Sequence, residues 1–166
     1  MGKNNRFREL QNINIEPTLS ATHPFDGKYT IGSQLDNLNN IKHLKPTFAF
    51  DYVSENKDDF SLINHSKLCV DDYKKLFSGL KQISSQTYDT LSKNRKFHFH
   101  SVDWNDTTVS ARDFEQHIDP YRRNTGDEIT AYQIKLFEEA RLFGFLYKGV
   151  FYVVLFDREH KIYKQK

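Results

Sequence analysis

The sequence predicts an α+β domain in which an antiparallel sheet, closing with a three-strand meander, packs against two consecutive helices behind an irregular N-terminal arm. Three observations predict it. Two aromatic and β-branched runs, Ala140 to Tyr147 and Val150 to Asp157, flank a two-residue Lys148-Gly149 connection, and Gly supplies the positive φ that tight hairpin turns demand. Tyr73, Leu76, Phe77, Leu80 and Ile83 recur at the spacing of one helix face. The 166 residues include 14 Phe and 9 Tyr, an aromatic load that suits β layers.

Residues 1–45 are rich in Asn, Thr, Ser and Gly, and their apolar residues, among them Ile13, Ile15, Leu19 and Phe25, keep no period. They read as an arm in front of a single domain over 46–166. Thr47 to Val53 sets Phe48, Phe50 and Tyr52 against Thr47, Ala49 and Asp51, the alternation of a half-buried strand. Asp71 or Asp72 is placed to cap the Tyr73 helix; Ser84 and Ser85 are placed to stop it and to cap a shorter helix carrying Tyr88 and Leu91. Lys96 to Trp104 reads as a strand with His98 and His100 on one face and Phe97 and Phe99 on the other. Ser110 opens a short helix through His117, which Pro120 ends, and Ile129 to Phe137 begins the meander.

The turn fixes the register of the last hairpin. Tyr147 is expected to face Val150, Phe145 to face Tyr152 and Phe143 to face Val154, with Leu142, Gly144 and Leu146 sharing the other face with Phe151, Val153 and Leu155. Both faces are apolar, so both need cover: the Tyr73 helix on one side and another layer, such as the N-terminal arm, on the other. Gly144 allows a neighbouring backbone or ring to approach closely.

Lys and Arg number 24 against 22 Asp and Glu, so a net charge of +2 creates no global field for nucleic acid or an anionic membrane. One cysteine, Cys69, excludes an internal disulfide and reads as a small buried hydrophobe. No apolar stretch approaches the about 20 residues that span a bilayer. The basic start has no apolar run behind it, so no secretory signal is expected and the cytoplasm is the expected compartment. Phosphate-loop, nucleophile-elbow and kinase signatures are missing, and no cofactor is expected.

Arg141-Leu-Phe-Gly-Phe, Phe151-Tyr-Val-Val-Leu-Phe-Asp157 and His160-Lys-Ile-Tyr163, with Phe48-Ala-Phe50 and His98-Phe-His-Ser-Val-Asp-Trp104, resemble small uncharacterised bacterial proteins of plasmids, prophages and other mobile elements. A weaker architectural likeness is to toxins of the RelE and ParE type, from which this chain departs by a strand before the helices and an insertion around residues 95–125. The resemblance implies an accessory protein of a mobile element and carries no established activity with it; that the protein is toxin-like and acts on RNA is the reading of its convergent C-terminal Arg, His and Tyr. The alternatives are a non-catalytic module that binds a protein partner through the N-terminal arm, such as an inhibitor or antitoxin-like protein, and a nucleic-acid-binding domain.

Arg141, Asp157, His160 and Tyr163 are the candidate catalytic residues, since the hairpin register brings Arg141 to the Asp157 end. A metal-free ribonuclease needs a base, an acid and cations on the phosphate, roles that His, Tyr and Arg fill. The bland alternative is an Arg141–Asp157 pair closing the hairpin, with His160 and Tyr163 packing the C-terminal tail. Arg122, Arg123, Arg158 and Lys161 are the candidate nucleic-acid contacts. His98 and His100, with Asp103 and His117, carry a metal reading, against which hydrogen-bonded structural histidines are the default and no metal site is assigned.

Overall fold

The computed structural model describes residues 38–56, 59–65, 67–118 and 129–164. Most of the N-terminal arm, Pro120, Arg122 and Arg123 lie outside the described residues. A five-stranded sheet has the order β1-β5-β4-β3-β2, formed by β1 (Thr47–Ala49), β2 (His100–Ser101), β3 (Ala131–Phe137), β4 (Ala140–Tyr147) and β5 (Val150–Asp157). The meander β3-β4-β5 is antiparallel as expected, and β4 is the buried centre. Lys148 and Gly149 turn the final hairpin with φ of 49° and 75°, both positive as a type I′ turn requires.

The sheet is mixed rather than wholly antiparallel, because β1 runs parallel to β5. This strand also stops at Ala49. A turn at Asp51 and Tyr52 then sends Phe48, Phe50 and Tyr52 apart: Phe48 packs on the helix-covered face, Phe50 is exposed, and Tyr52 crosses to the opposite core. Beyond it, Ser54 N–H donates to Val154 O and Phe156 N–H to Phe60 O, so this loop continues the edge where β1 leaves off.

The hairpin keeps its expected register from Tyr147↔Val150 to Gly144↔Val153 and then shifts at a β-bulge, after which Phe143 faces Leu155 and Arg141 faces Asp157. The expected Phe143–Val154 pairing is thereby corrected by one residue. The physical reason is an extra β5 residue, which flips the parity of all that follows: Leu155 joins Val154 on one core and Phe156 takes the other. Gly144 sits at this shift, where a Cβ would lie 2.1 Å from Tyr152 O.

On the first face lie α2 (Val70–Ser84) and α3 (Tyr88–Lys93), with α1 (Leu38–Ile41) beside them. Leu76, Leu80, Ile83, Tyr88 and Leu91 pack on Leu142, Leu146, Phe151, Val153 and Phe156. Cys69, not Asp71 or Asp72, occupies the N-cap of α2 and is exposed rather than buried; Asp72, three residues on, accepts from its backbone N–H at 3.1 Å. Thr87 rather than Ser84 or Ser85 caps α3, because both serines bond back to carbonyls of α2.

The second face is covered, among the described residues, by the segment 102–118 and the C-terminal tail. Phe114 of α4 (Ala111–Glu115), Ile118, Ile162 and Tyr52 close over Phe143, Phe145, Tyr147, Tyr152 and Val154. Ser110 caps α4 as expected, with Asp113 completing a capping box. The long strand expected over Lys96 to Trp104 shrinks to β2, because Asn94 nucleates a 3₁₀ turn over Arg95–Phe97 and His98 follows at φ 42°. The burial alternation survives nonetheless, with Phe97 and Phe99 inside and His98 and His100 outside.

Candidate functional site

The β4–β5 register places Arg141 and Asp157 opposite one another on the second face, 4% and 1% exposed. Asp157 turns both oxygens to the tail: Lys161 N–H donates to Oδ1 at 2.9 Å and Ile162 N–H to Oδ2 at 2.8 Å. That is a structural role, fixing the turn after β5 at which His160 adopts φ 58°. Arg141 donates through NH1 to the Glu139 carbonyl and to its carboxylate, 3.3 Å away. Its buried Nε has no hydrogen-bond partner.

His160 and Tyr163 come to the same place. Their rings lie 5.6 Å apart, Tyr163 packs on Phe143, and His160 Nδ1 is 3.9 Å from Glu139 Oε2. Lys135, which pairs with Arg141 across β3 and β4, approaches Glu139 at 3.5 Å. Burial, then the Arg141 charge, pushes the His160 and His98 imidazoles below their ordinary pKa. Burial raises the Tyr163 phenol, whose hydroxyl is enclosed with no hydrogen-bond partner. All four expected catalytic residues thus gather at one end of the sheet, and Glu139, Lys135, Gln133 and His98 join them. Only the β3–β4 register would have pointed to Gln133 and Lys135.

The expected nucleic-acid contacts that the structure describes are held by carboxylates. Arg158 lies on the opposite face, where it donates to Asp72 at 2.7 Å and Glu138 at 2.9 Å. The Cys69 backbone N–H, followed by Arg158, depresses the Asp72 pKa to about 2. Lys161 is bonded to Asp59 at 2.8 Å and to Glu159, which raises its pKa well above the usual lysine range. Of the histidines in the metal reading, His100 donates through Nδ1 to Ser101 O at 2.7 Å and meets Gln133 through Nε2. Asp103 accepts from Asn105. Among the described residues no three His, Cys, Asp or Glu side chains gather as a metal would require.

A second feature escaped the sequence reading. Along α2, Tyr73, Leu76, Phe77 and Leu80 form one wall of a groove of about 430 Å³ whose other wall is Phe50, Val53, Leu62 and Ile63. Phe77 is 66% and Ile63 61% exposed. The periodicity of α2 marks this stripe as apolar; what it could not reveal is that the sheet uses only part of it.

Residues 50–166, well over half of the chain, match the family described as Uncharacterised protein UU032. The chain belongs to that family. Its match begins at Phe50, the first wall residue of the groove, and takes in the whole polar sheet end, so both features of this UU032 family member lie within the family's shared region. No curated protein and no solved structure matches the chain significantly. Among the described residues no helix is long and apolar enough to cross a membrane.

Proposed function

We propose that this protein is a binding module that takes an amphipathic helix of a partner protein into the groove along α2. The observation that carries this reading is the open apolar wall itself: four large apolar side chains that line it, Phe50, Ile63, Tyr73 and Phe77, are left in water. The wall residues of α2 stand at i, i+3, i+4 and i+7, two helical turns of contact matching the apolar stripe of an incoming helix. Strand addition is disfavoured, because the sheet ends on strands of three and two residues. Lys81 stands exposed beside the stripe on α2, which favours an acidic residue flanking the partner's apolar positions.

Catalysis on RNA by Arg141, Asp157, His160 and Tyr163, and with it the toxin-like role on a mobile element, has less support. Asp157 is spent on two backbone donors, the Tyr163 hydroxyl is enclosed, and Arg158 and Lys161 are each held by two carboxylates. An inhibitor or antitoxin-like role is a form of the partner-binding reading and needs no turnover.

The test is affinity capture from the source organism with wild-type and Phe77→Asp baits, followed by titration of the isolated partner's helical segment against labelled protein. A partner lost with Phe77→Asp, whose segment shifts the resonances of Phe50, Tyr73 and Phe77, supports the reading. A partner that both baits retain equally overturns it.

A further inference from the structure

Three buried polar atoms without hydrogen-bond partners lie around Phe143 on the second face of the sheet: Gln133 Oε1, Arg141 Nε and the Tyr163 hydroxyl. The register explains their proximity, since Gln133 pairs with Phe143, Arg141 is two residues along the same strand, and Tyr163 packs on the Phe143 ring. Each such atom normally costs about 1–3 kcal/mol when left unsatisfied, so three together call for a further partner at this place, a water or a ligand group. His98 and His160, two of the four non-glycine residues with positive φ, flank the same place, the kind of local strain that collects at binding sites.

Above this floor, Lys135, Arg141 and His160 converge on one carboxylate, that of Glu139, at 3.5, 3.3 and 3.9 Å. Glu139 is the one member of the group that is mostly exposed, with 61% of its side chain in solvent and a tight turn beneath it. It stands where an incoming oxyanion would stand. The floor adds a second requirement, because the unpaired Gln133 oxygen accepts a hydrogen bond and so asks the ligand for a donor close to its negative charge. An adjoining cleft of about 300 Å³, lined by Ser92, Asn94, Arg95, His98, Phe99 and His100, leaves room beyond the anion for a ring with polar groups at its edge.

We propose that the polar end of the sheet binds a ribonucleotide phosphodiester, with the phosphate displacing the Glu139 carboxylate from Lys135, Arg141 and His160, the ribose hydroxyl reaching Gln133, and a neighbouring nucleoside entering the cleft beside Arg95 and His98. One negative charge leaves and one arrives, so the balance with Lys135, Arg141 and buried Asp157 is preserved. Arg141 keeps its bond to the Glu139 carbonyl and turns to the phosphate the NH1 donor that now meets the Glu139 carboxylate, a charge-assisted bond. This site is independent of the α2 groove, and it binds without cleaving.

The test titrates a diribonucleotide, its deoxy counterpart, inorganic phosphate and acetate into the full chain, read by amide and histidine ring-proton shifts. The expected result is saturable binding of the diribonucleotide that moves His98, Gln133, Arg141 and His160, with the deoxy counterpart about tenfold weaker. Glu139→Gln, which removes the competing carboxylate, tightens binding by about tenfold. Lys135→Gln and His160→Asn weaken it by a similar factor; both are partly exposed, and Asn tolerates the left-handed backbone at 160. Phe77→Asp leaves it unchanged, which separates this site from the groove. No saturable shift with either wild type or Glu139→Gln overturns the proposal, as does acetate or phosphate binding as tightly as the diribonucleotide, or affinity insensitive to Lys135→Gln and His160→Asn.

Discussion

The two faces of the sheet are made from the same three strands, yet they end in opposite kinds of surface. On the first face two regular helices cover the sheet and leave apolar side chains over, so the face finishes as an open greasy groove. On the second, short irregular pieces from 102–118 and the C-terminal tail cover the aromatic core fully, and the face finishes in polar groups sealed from water. The difference is one of covering geometry. The helix rests on the sheet through Leu76, Leu80 and Ile83 and leaves Tyr73 and Phe77 over; a chain that turns every few residues follows the sheet closely and keeps Gln133, Arg141 and Asp157 inside with it.

What separates the faces is the bulge opposite Gly144, and that is where the arrangement breaks most easily. Gly144→Ala sets a Cβ 2.1 Å from the Tyr152 carbonyl and 2.7 Å from the Phe151 ring. Backbone cannot yield as a side-chain tip does, so the strands must part or the bulge must move. A loss of about 3 kcal/mol is expected, at the upper end for overpacking, and both cores should loosen together. Urea unfolding followed by tyrosine fluorescence and by amide exchange checks this; a stability within 0.5 kcal/mol of wild type, on the scale of a neutral surface change, would show that the two faces do not depend on this close approach.

The meander was legible in the sequence because its signals are local: Lys148-Gly149 fixes the turn and the turn fixes the register as far as Gly144, while the α2 stripe marks the helix and its apolar side without telling buried Leu76, Leu80 and Ile83 from exposed Tyr73 and Phe77. The parity flip at Val154 was not legible. It depends on Ser54 and Phe60, a hundred residues earlier, bonding to β5 from outside, and no alternation within 150–157 encodes that. The parallel direction of β1 is hidden for the same reason. At the polar end, the hairpin register brings Arg141 to Asp157 and the short tail keeps His160 and Tyr163 near, whereas nothing local singles out Glu139, whose role rests on Lys135 and His160 standing around it. Arg158 and Lys161 looked like free cations because their carboxylates, Asp72 and Asp59, lie far away in sequence.

Asp72 gives a smaller way to loosen one face alone. It ties the first turn of α2 to Arg158 on the strand end, and its folded-state pKa is about 2, held down first by the Cys69 N–H and then by Arg158. A depressed carboxylate stabilises the fold above its unfolded pKa near 4 and loses that contribution as pH falls through the folded value. The stability gap between wild type and Asp72→Asn is therefore expected to be about 1–2 kcal/mol at pH 5, the range for a charged hydrogen bond that is partly screened. It should close between about pH 4 and pH 2. Denaturant midpoints at pH 5, 3.5 and 2.5 measure it, and the polar sheet end, followed by the His160 ring protons, should be unmoved at pH 5. A gap constant across that range would mean that the bond to Arg158 contributes through packing rather than charge.

The smallest effect expected is the one most informative about what the groove is for. Leu80 and Phe77 are neighbours on α2, but Leu80 is 8% exposed and packs on the sheet, while Phe77 is 66% exposed. Leu80→Ala removes buried methyls and leaves a cavity, and should cost about 2–4 kcal/mol. Phe77→Ala removes a ring that is largely in water and introduces a better helix former, so its effect on the isolated protein should stay within about 0.5 kcal/mol. If Phe77 belonged to the core of the folded chain, its loss would approach that of Leu80 in thermal or urea unfolding. If instead the two diverge as expected, a large aromatic side chain is being held in solvent without benefit to the fold, and the groove it lines is maintained for something outside the domain.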